Sequence, residues 1–152
     1  MSDNPVFAAA SGTTGAARSS ARSLRILIAD DTPAIREILV RMLRQSVDAQ
    51  LFEARNGHEA VREYRAKLPH LVFLDIDMPG ADGLSALKEI RSLDPQAYVV
   101  IVSGHGSLPK VQEALALGVA GFVVKPFSSK RIAEVLQKYA QSAGDVGLVG
   151  AA

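Results

Sequence analysis

Apolar and polar positions alternate along this chain in two rhythms. Leu24-Arg-Ile-Leu-Ile-Ala29 is an apolar run, and the acids Asp30 and Asp31 follow at once. After Pro33, the residues Ile35, Ile38, Leu39, Met42 and Leu43 recur at three- and four-residue steps, which predicts one apolar helical stripe. Pro33 suits a first helical turn, where its missing N–H is not needed, and Asp31 or Thr32 is the expected cap. Gln50 to Glu53 is a short strand candidate, with a turn at Asn56-Gly57 and then a helix carrying Ala60, Val61 and Tyr64. Leu71 to Leu74 is a fully apolar strand running into Asp75, and Gly83 to Arg91 is a helix with Leu84, Leu87 and Ile90 on one side. Tyr98 to Val102 is the fourth strand, and Pro109 to Leu117 a helix ended by Gly118. Gly121 to Val124 is the last strand, and Ser128 caps a final helix bearing Ile132, Val135, Leu136 and Tyr139.

Five apolar strands alternating with five amphipathic helices predict right-handed crossovers and a doubly wound α/β fold, a five-stranded parallel sheet with helices on both faces. The strands lack polar alternation, so both faces are expected to be buried. In such folds the ligand site lies beyond the carboxyl ends of the strands. Residues 1–23, rich in Ala, Ser, Gly and Thr, read as a flexible leader. The domain then spans 24–140, and the small, polar stretch of 141–152 reads as a flexible tail.

Composition narrows the classes. The chain is 48% hydrophobic and 22% charged, ordinary for a domain with a real core. A net charge of +1 makes no case for a nucleic-acid partner or a basic membrane surface. There is no Cys, hence no disulfide, thiolate nucleophile or Cys-bound metal, which fits a reducing cytoplasm. No apolar run approaches the ~20 residues that span a bilayer, and the start lacks the pattern of a secretory signal. A cytoplasmic location is the expectation.

The chemistry gathers at the strand ends. The residues there are Asp30 and Asp31 after the first strand, Asp75 after the third, Ser103 after the fourth, and Lys125 with Pro126 after the fifth. Like charges that close raise one another's pKa unless something positive intervenes. A hard divalent cation resolves this, and Mg²⁺ typically takes one or two carboxylates while keeping waters and phosphate oxygens. One acid is then available as a nucleophile toward a phosphoryl group, with Lys125 offsetting charge and Ser103 donating a hydrogen bond. Singly, each residue has a plainer reading: a helix cap for Asp30 or Asp31, a turn for Asp75, a loop hydroxyl for Ser103, a solvated charge for Lys125. Their convergence at one edge of one sheet favours a site.

These residues resemble the receiver domain of bacterial two-component response regulators, of CheY-like, single-domain type, over roughly Leu24 to Tyr139. The carriers are Ile-Leu-Ile-Ala-Asp30-Asp31, Glu53-Ala-Arg-Asn56-Gly57-His-Glu59-Ala60, Asp75-Ile-Asp77-Met78-Pro79-Gly-Ala-Asp82-Gly83, Val102-Ser103-Gly104 and Lys125-Pro126-Phe127. The resemblance implies strand order 2-1-3-4-5. It further implies that Asp75 is phosphorylated by a sensor histidine kinase or histidine phosphotransfer protein. Asp30 and Asp31 would hold Mg²⁺ with Asp75 and the backbone carbonyl of Asp77. Ser103 and Lys125 would bind the phosphoryl group, and Phe122 would be the aromatic switch. Phe122 lacks the hydroxyl of some relatives, so its switching would rest on packing. Asp77 and His105 stand at positions that influence phosphoryl lifetime in this family. Pro79, Gly83 and Pro126 are expected to shape the backbone, with the Lys125–Pro126 bond cis.

Two rivals share features. Asp75-Ile-Asp77 is similar to the D-x-D of haloacid-dehalogenase-like phosphatases, but those want Thr or Val where Pro79 stands. Flavodoxin-like flavin modules share the topology but need a phosphate cradle where Asp30 and Asp31 would repel phosphate. Thirteen residues follow Tyr139, too few for an output module, so the expected readout is docking onto another protein. Its expected surface is the fourth helix, fifth strand and fifth helix. A motility or kinase regulator, a phosphorelay intermediate and a phosphate sink all fit.

Overall fold

An uninterrupted apolar run has no face to spare for water, and two such runs lie at the centre of the molecule. β3 (Leu71–Asp75) and β4 (Val99–Ser103) are buried at every residue in the computed structural model. The structure describes residues 23–78, 83–104 and 108–151. Three further strands complete the sheet: β1 (Leu24–Ala29), β2 (Ala49–Ala54) and β5 (Gly121–Val124). Their order is β2-β1-β3-β4-β5, every neighbouring pair is parallel, and the doubly wound α/β expectation holds.

Alternate residues of each strand feed opposite cores. Leu27, Ala29, Val72, Leu74, Val99 and Ile101 face one side, covered by α2 (Gly57–Lys67), α3 (Gly83–Leu93) and α4 (Leu108–Ala116). Ile26, Ile28, Leu71, Phe73, Val100 and Val102 face the other, covered by α1 (Pro33–Ser46) and α5 (Ser129–Ala151). Burying a Leu, Ile or Phe side chain fully contributes about 1.5–3 kcal/mol each. Two such layers hold the strand ends level.

Most helix ends follow their sequence signals. Asn56 caps α2 by accepting the Glu59 N–H at 2.8 Å, while Glu59 Oε1 accepts the Arg55 N–H at 2.9 Å. Ser128 Oγ accepts the Arg131 N–H at 3.1 Å at the start of α5. The start of α1 departs from expectation. Thr32 occupies the cap position but makes no side-chain cap bond. Instead Asp30, two residues further back, accepts the Thr32 N–H at 2.9 Å. The carboxylate that reaches this N–H is the one buried at the strand end. Strand and helix limits shift by one or two residues at β2, β4, α3 and α4. The helical backbone of α5 continues to Ala151, past Gln141, where fraying was the expectation. No proline interrupts that stretch, so each added residue extends an existing hydrogen-bond ladder. Residues 1–22, which make up nearly all of the expected leader, lie outside the described residues. Among the described residues no helix is long and apolar enough to cross a membrane.

Candidate functional site

Register decides which strand ends meet. Ala29 pairs with Leu74, Asp75 with Val102, and Ser103 with Val124. The ladder continues just beyond, with Ile76 N donating to Val102 O at 3.1 Å and Lys125 N to Ser103 O at 2.8 Å. Asp30, Asp75, Ser103 and Lys125 are thereby brought to one edge of the sheet.

The edge is buried and charged. Asp30, Asp75 and Ser103 are 2%, 1% and 2% exposed, whereas Asp31 is open to solvent. Lys125 Nζ lies between two acids, 3.0 Å from Asp30 Oδ2 and 3.1 Å from Asp75 Oδ2. The other Asp75 oxygen accepts the Asp77 N–H at 2.8 Å. Asp30, Asp31 and Asp75 can each place a carboxylate oxygen within 4.8 Å of the others. Three carboxylates against one ammonium leave an excess of negative charge. This all-oxygen donor set suits a hard divalent ion such as Mg²⁺.

Protonation reflects burial first and that imbalance second. Burial pushes the Asp75 carboxyl up to about 6; the Asp77 N–H opposes this, the charge of Asp30 adds to it, and Lys125 opposes it. For Lys125, burial alone would lower the pKa. The hydrogen bond to Asp30 and the charges of Asp75 and Asp30 outweigh it, and the net shift is upward. The ammonium is therefore secure at neutral pH.

Backbone close approach shapes the pocket. A Cβ on Gly83 would overlap the Asp75 carbonyl oxygen and stand 2.6 Å from Ile76 Cα, so α3 can begin against the Asp75 backbone only as glycine. The Lys125–Pro126 peptide is cis. Pro79 and His105 lie outside the described residues. Phe122, on β5, is 38% exposed, and its carbonyl accepts Arg131 Nη2 at 2.8 Å.

Two sets of contacts at the pocket were not read from sequence. Arg36, in the first turns of α1, donates from Nη1 to the Asp30 carbonyl at 2.7 Å and from Nε to Glu53 Oε1 at 3.0 Å. It pins the Asp30–Asp31 peptide while Glu53, at the end of β2, balances its charge. The signal was the acid Glu53 closing a strand beside the Asp30-Asp31 pair, with an arginine one helical turn into α1. Asp77 was read as a metal ligand through its carbonyl and as a position that influences phosphoryl lifetime, but the contact of its carboxylate with the end of β4 was not foreseen. Asp77 Oδ2 accepts the Gly104 N–H at 2.7 Å and stands 3.5 Å from Ser103 Oγ.

Comparison with known proteins covers the same stretch of chain. The family described as the response regulator receiver domain matches residues 26–137. The chain is similar to the chemotaxis protein CheY of Bacillus subtilis, 40% identical over 114 residues, covering 75% of this chain and 95% of that protein. It is 36% identical over 115 residues to sporulation initiation phosphotransferase F of Bacillus subtilis, covering 76% and 92% of the two chains. Among solved structures, the receiver domain of AraT, a response regulator from Geobacillus stearothermophilus, superposes with a TM-score of 0.76. It shares 28% identity and covers 82% of this chain and 98% of its own.

Proposed function

The chain belongs to the response regulator receiver domain family of two-component systems, and from that premise we propose that Asp75 is its phosphoacceptor. Receiver domains act as signalling phosphoacceptors, interact with histidine kinases or phosphotransfer proteins, and generally bind Mg²⁺ at their acidic pocket. One observation carries the assignment to Asp75. It is a 1%-exposed carboxylate at the end of a fully buried strand, inside the three-acid cluster and against the Lys125 ammonium.

An Asp75 oxygen attacks the phosphorus of a phosphohistidine on the donor protein. The P–N bond breaks, the imidazole keeps the electron pair and takes a proton, and an acyl phosphate forms that water later hydrolyses. Asp30, Asp31, Asp75 and the Asp77 carbonyl would hold Mg²⁺, which supplies positive charge opposite the phosphoryl oxygens. Lys125, already 3.1 Å from Asp75, balances the same charge from the protein side. Ser103 donates its hydroxyl to a phosphoryl oxygen, and these contacts, made in one state only, shift a two-state equilibrium. The readout is docking of a partner protein on α4, β5 and α5, where Leu115, Phe122 and Val124 leave 47%, 38% and 52% of their surface open.

Incubation with acetyl phosphate and Mg²⁺ tests the assignment. The expected product is an acid-stable, base-labile adduct, one per chain, that is lost in Asp75→Asn. An adduct persisting in that variant places the chemistry elsewhere. Mg²⁺ affinity should fall in Asp31→Ala, and an unchanged affinity removes the acid pair from the metal site.

A further inference from the structure

β4 ends at Ser103, and its last donors are already taken. Asp77 Oδ2 accepts the Gly104 N–H at 2.7 Å, a short charge-assisted bond. The Ser103 hydroxyl stands 3.5 Å from the same oxygen and 3.1 Å from the Gly104 carbonyl. The Asp77 backbone N–H meanwhile donates to Asp75 Oδ1 at 2.8 Å. Asp77 thus joins Asp75 to the end of β4, by its backbone on one side and its carboxylate on the other.

We propose that the Asp77 carboxylate is a positioning residue that competes with the phosphoryl group: it holds the Gly104 N–H in the unphosphorylated chain and releases it when Asp75 is phosphorylated. The inference rests on reading Asp75 as the phosphoacceptor. A phosphoryl group brings three acceptor oxygens and roughly −1.5 to −2 charges. The Gly104 amide carries one proton, which can be given fully to only one acceptor. Two anions two residues apart also repel. A contact made in only one of two states biases the equilibrium toward that state. The Asp77 carboxylate therefore sets a threshold that phosphorylation must overcome. Truncating its side chain lowers the threshold and leaves the Asp77 carbonyl in place.

The test is a ¹H–¹⁵N NMR titration of the full chain with beryllium fluoride, a phosphoryl mimic, in Mg²⁺. In the parent chain the Gly104 amide should resonate downfield, as an N–H held by a carboxylate does, and move as the mimic binds. In Asp77→Ala that amide should already be displaced before titration, and the mimic should bind roughly tenfold more tightly. Asp77→Asn keeps the shape and a neutral acceptor, and should fall between the two. Urea midpoints of both variants establish that each is folded, and the isosteric Asn variant carries the test should the Ala variant unfold. Equal or weaker binding in the variants, with the parent chain binding normally, overturns the competition and leaves the phosphoacceptor reading intact. No binding by the parent chain, together with no acetyl phosphate adduct, overturns both.

Discussion

At the amino-terminal edge of the sheet, Arg25 donates from Nε to the Lys67 carbonyl and from Nη2 to the Leu68 carbonyl, both at 2.9 Å. These bonds close α2 where Leu68 turns left-handed at φ 48°. Arg25 N donates to His70 Nδ1 at 3.0 Å, and His70 N returns a bond to Arg25 O at 2.8 Å. Nearby, Tyr64 OH donates to Asp94 Oδ2 at 2.8 Å. At the carboxyl-terminal edge the inventory is similar, but the balance is not. There, three carboxylates face one ammonium, and glycine replaces a side chain where α3 meets Asp75.

Both edges perturb protonation. Burial, helped by Asp94, raises the Tyr64 hydroxyl well above the ordinary phenol range, and burial, helped by Arg25, lowers His70. A shifted pKa alone therefore does not separate scaffold from site. The separating feature is whether each polar group finds a complementary partner within the protein. At the amino-terminal edge the donors and acceptors close on one another; at the carboxyl-terminal edge they leave negative charge to be met from outside.

The largest test of that contrast is Asp75→Asn in metal-free buffer. The Asp75 carboxyl titrates at about 6 in the folded chain against 3.8 as its reference. Between those values the folded form holds the extra proton, so the cost of ionising it grows as pH rises from about 4 to 6 and is full above. Removing it should stabilise the chain by up to about 3 kcal/mol at pH 7 and by little below pH 4. Urea melts at both pH values measure this, and Lys125 keeps Asp30 as its partner in the variant. A destabilised variant at pH 7 would erase the distinction between the two edges.

Gly83→Ala should be nearly as large with opposite sign. Its Cβ would overlap the Asp75 carbonyl, so a loss of about 2–3 kcal/mol and a weaker acetyl phosphate adduct are expected. Tyr64→Phe at the opposite edge should cost about 1 kcal/mol and leave adduct formation unchanged. Gly121→Ala sharpens the glycine comparison. A Cβ there meets nothing within 4 Å, and the expected gain is about 0.5 kcal/mol in thermal or urea melts.

The smallest effect is the pH dependence of His70. Its folded pKa lies below the unfolded value because burial, and then Arg25, disfavour the cation. Its contribution is full above the unfolded value of about 6.5 and is lost as pH falls from there toward the folded pKa. The parent chain should therefore lose more stability than His70→Asn between pH 7 and 5.5. Equal losses would mean that burial and the Arg25 charge do not depress the His70 pKa.

The strands were legible because burial on both faces leaves apolar runs such as Leu71 to Leu74, and the helices because Ile132, Val135, Leu136 and Tyr139 keep the spacing of one face. The strand-end residues were legible for the same local reason: each follows its strand directly. The capping of α1 was not. Whether Asp30, Asp31 or Thr32 serves the start of α1 depends on where the loop turns, and three adjacent side chains that each offer an acceptor oxygen look alike in sequence. The Arg36–Glu53 pair and the contact of the Asp77 carboxylate with Gly104 were hidden for a related reason, since their partners lie far apart along the chain.

The order of elements, the two-sided burial of β3 and β4, and the gathering of acids, hydroxyl and ammonium at one edge are written in the sequence, because hydrophobic periodicity and strand ends are local properties. Tertiary structure alone decided that Asp30 is buried while Asp31 beside it is open, that Lys125 sits between Asp30 and Asp75, and that Asp77 holds Gly104. Those outcomes depend on sheet register and on the approach of α3 through Gly83. Distances of 2.7–3.1 Å are set only when separate strands are laid side by side.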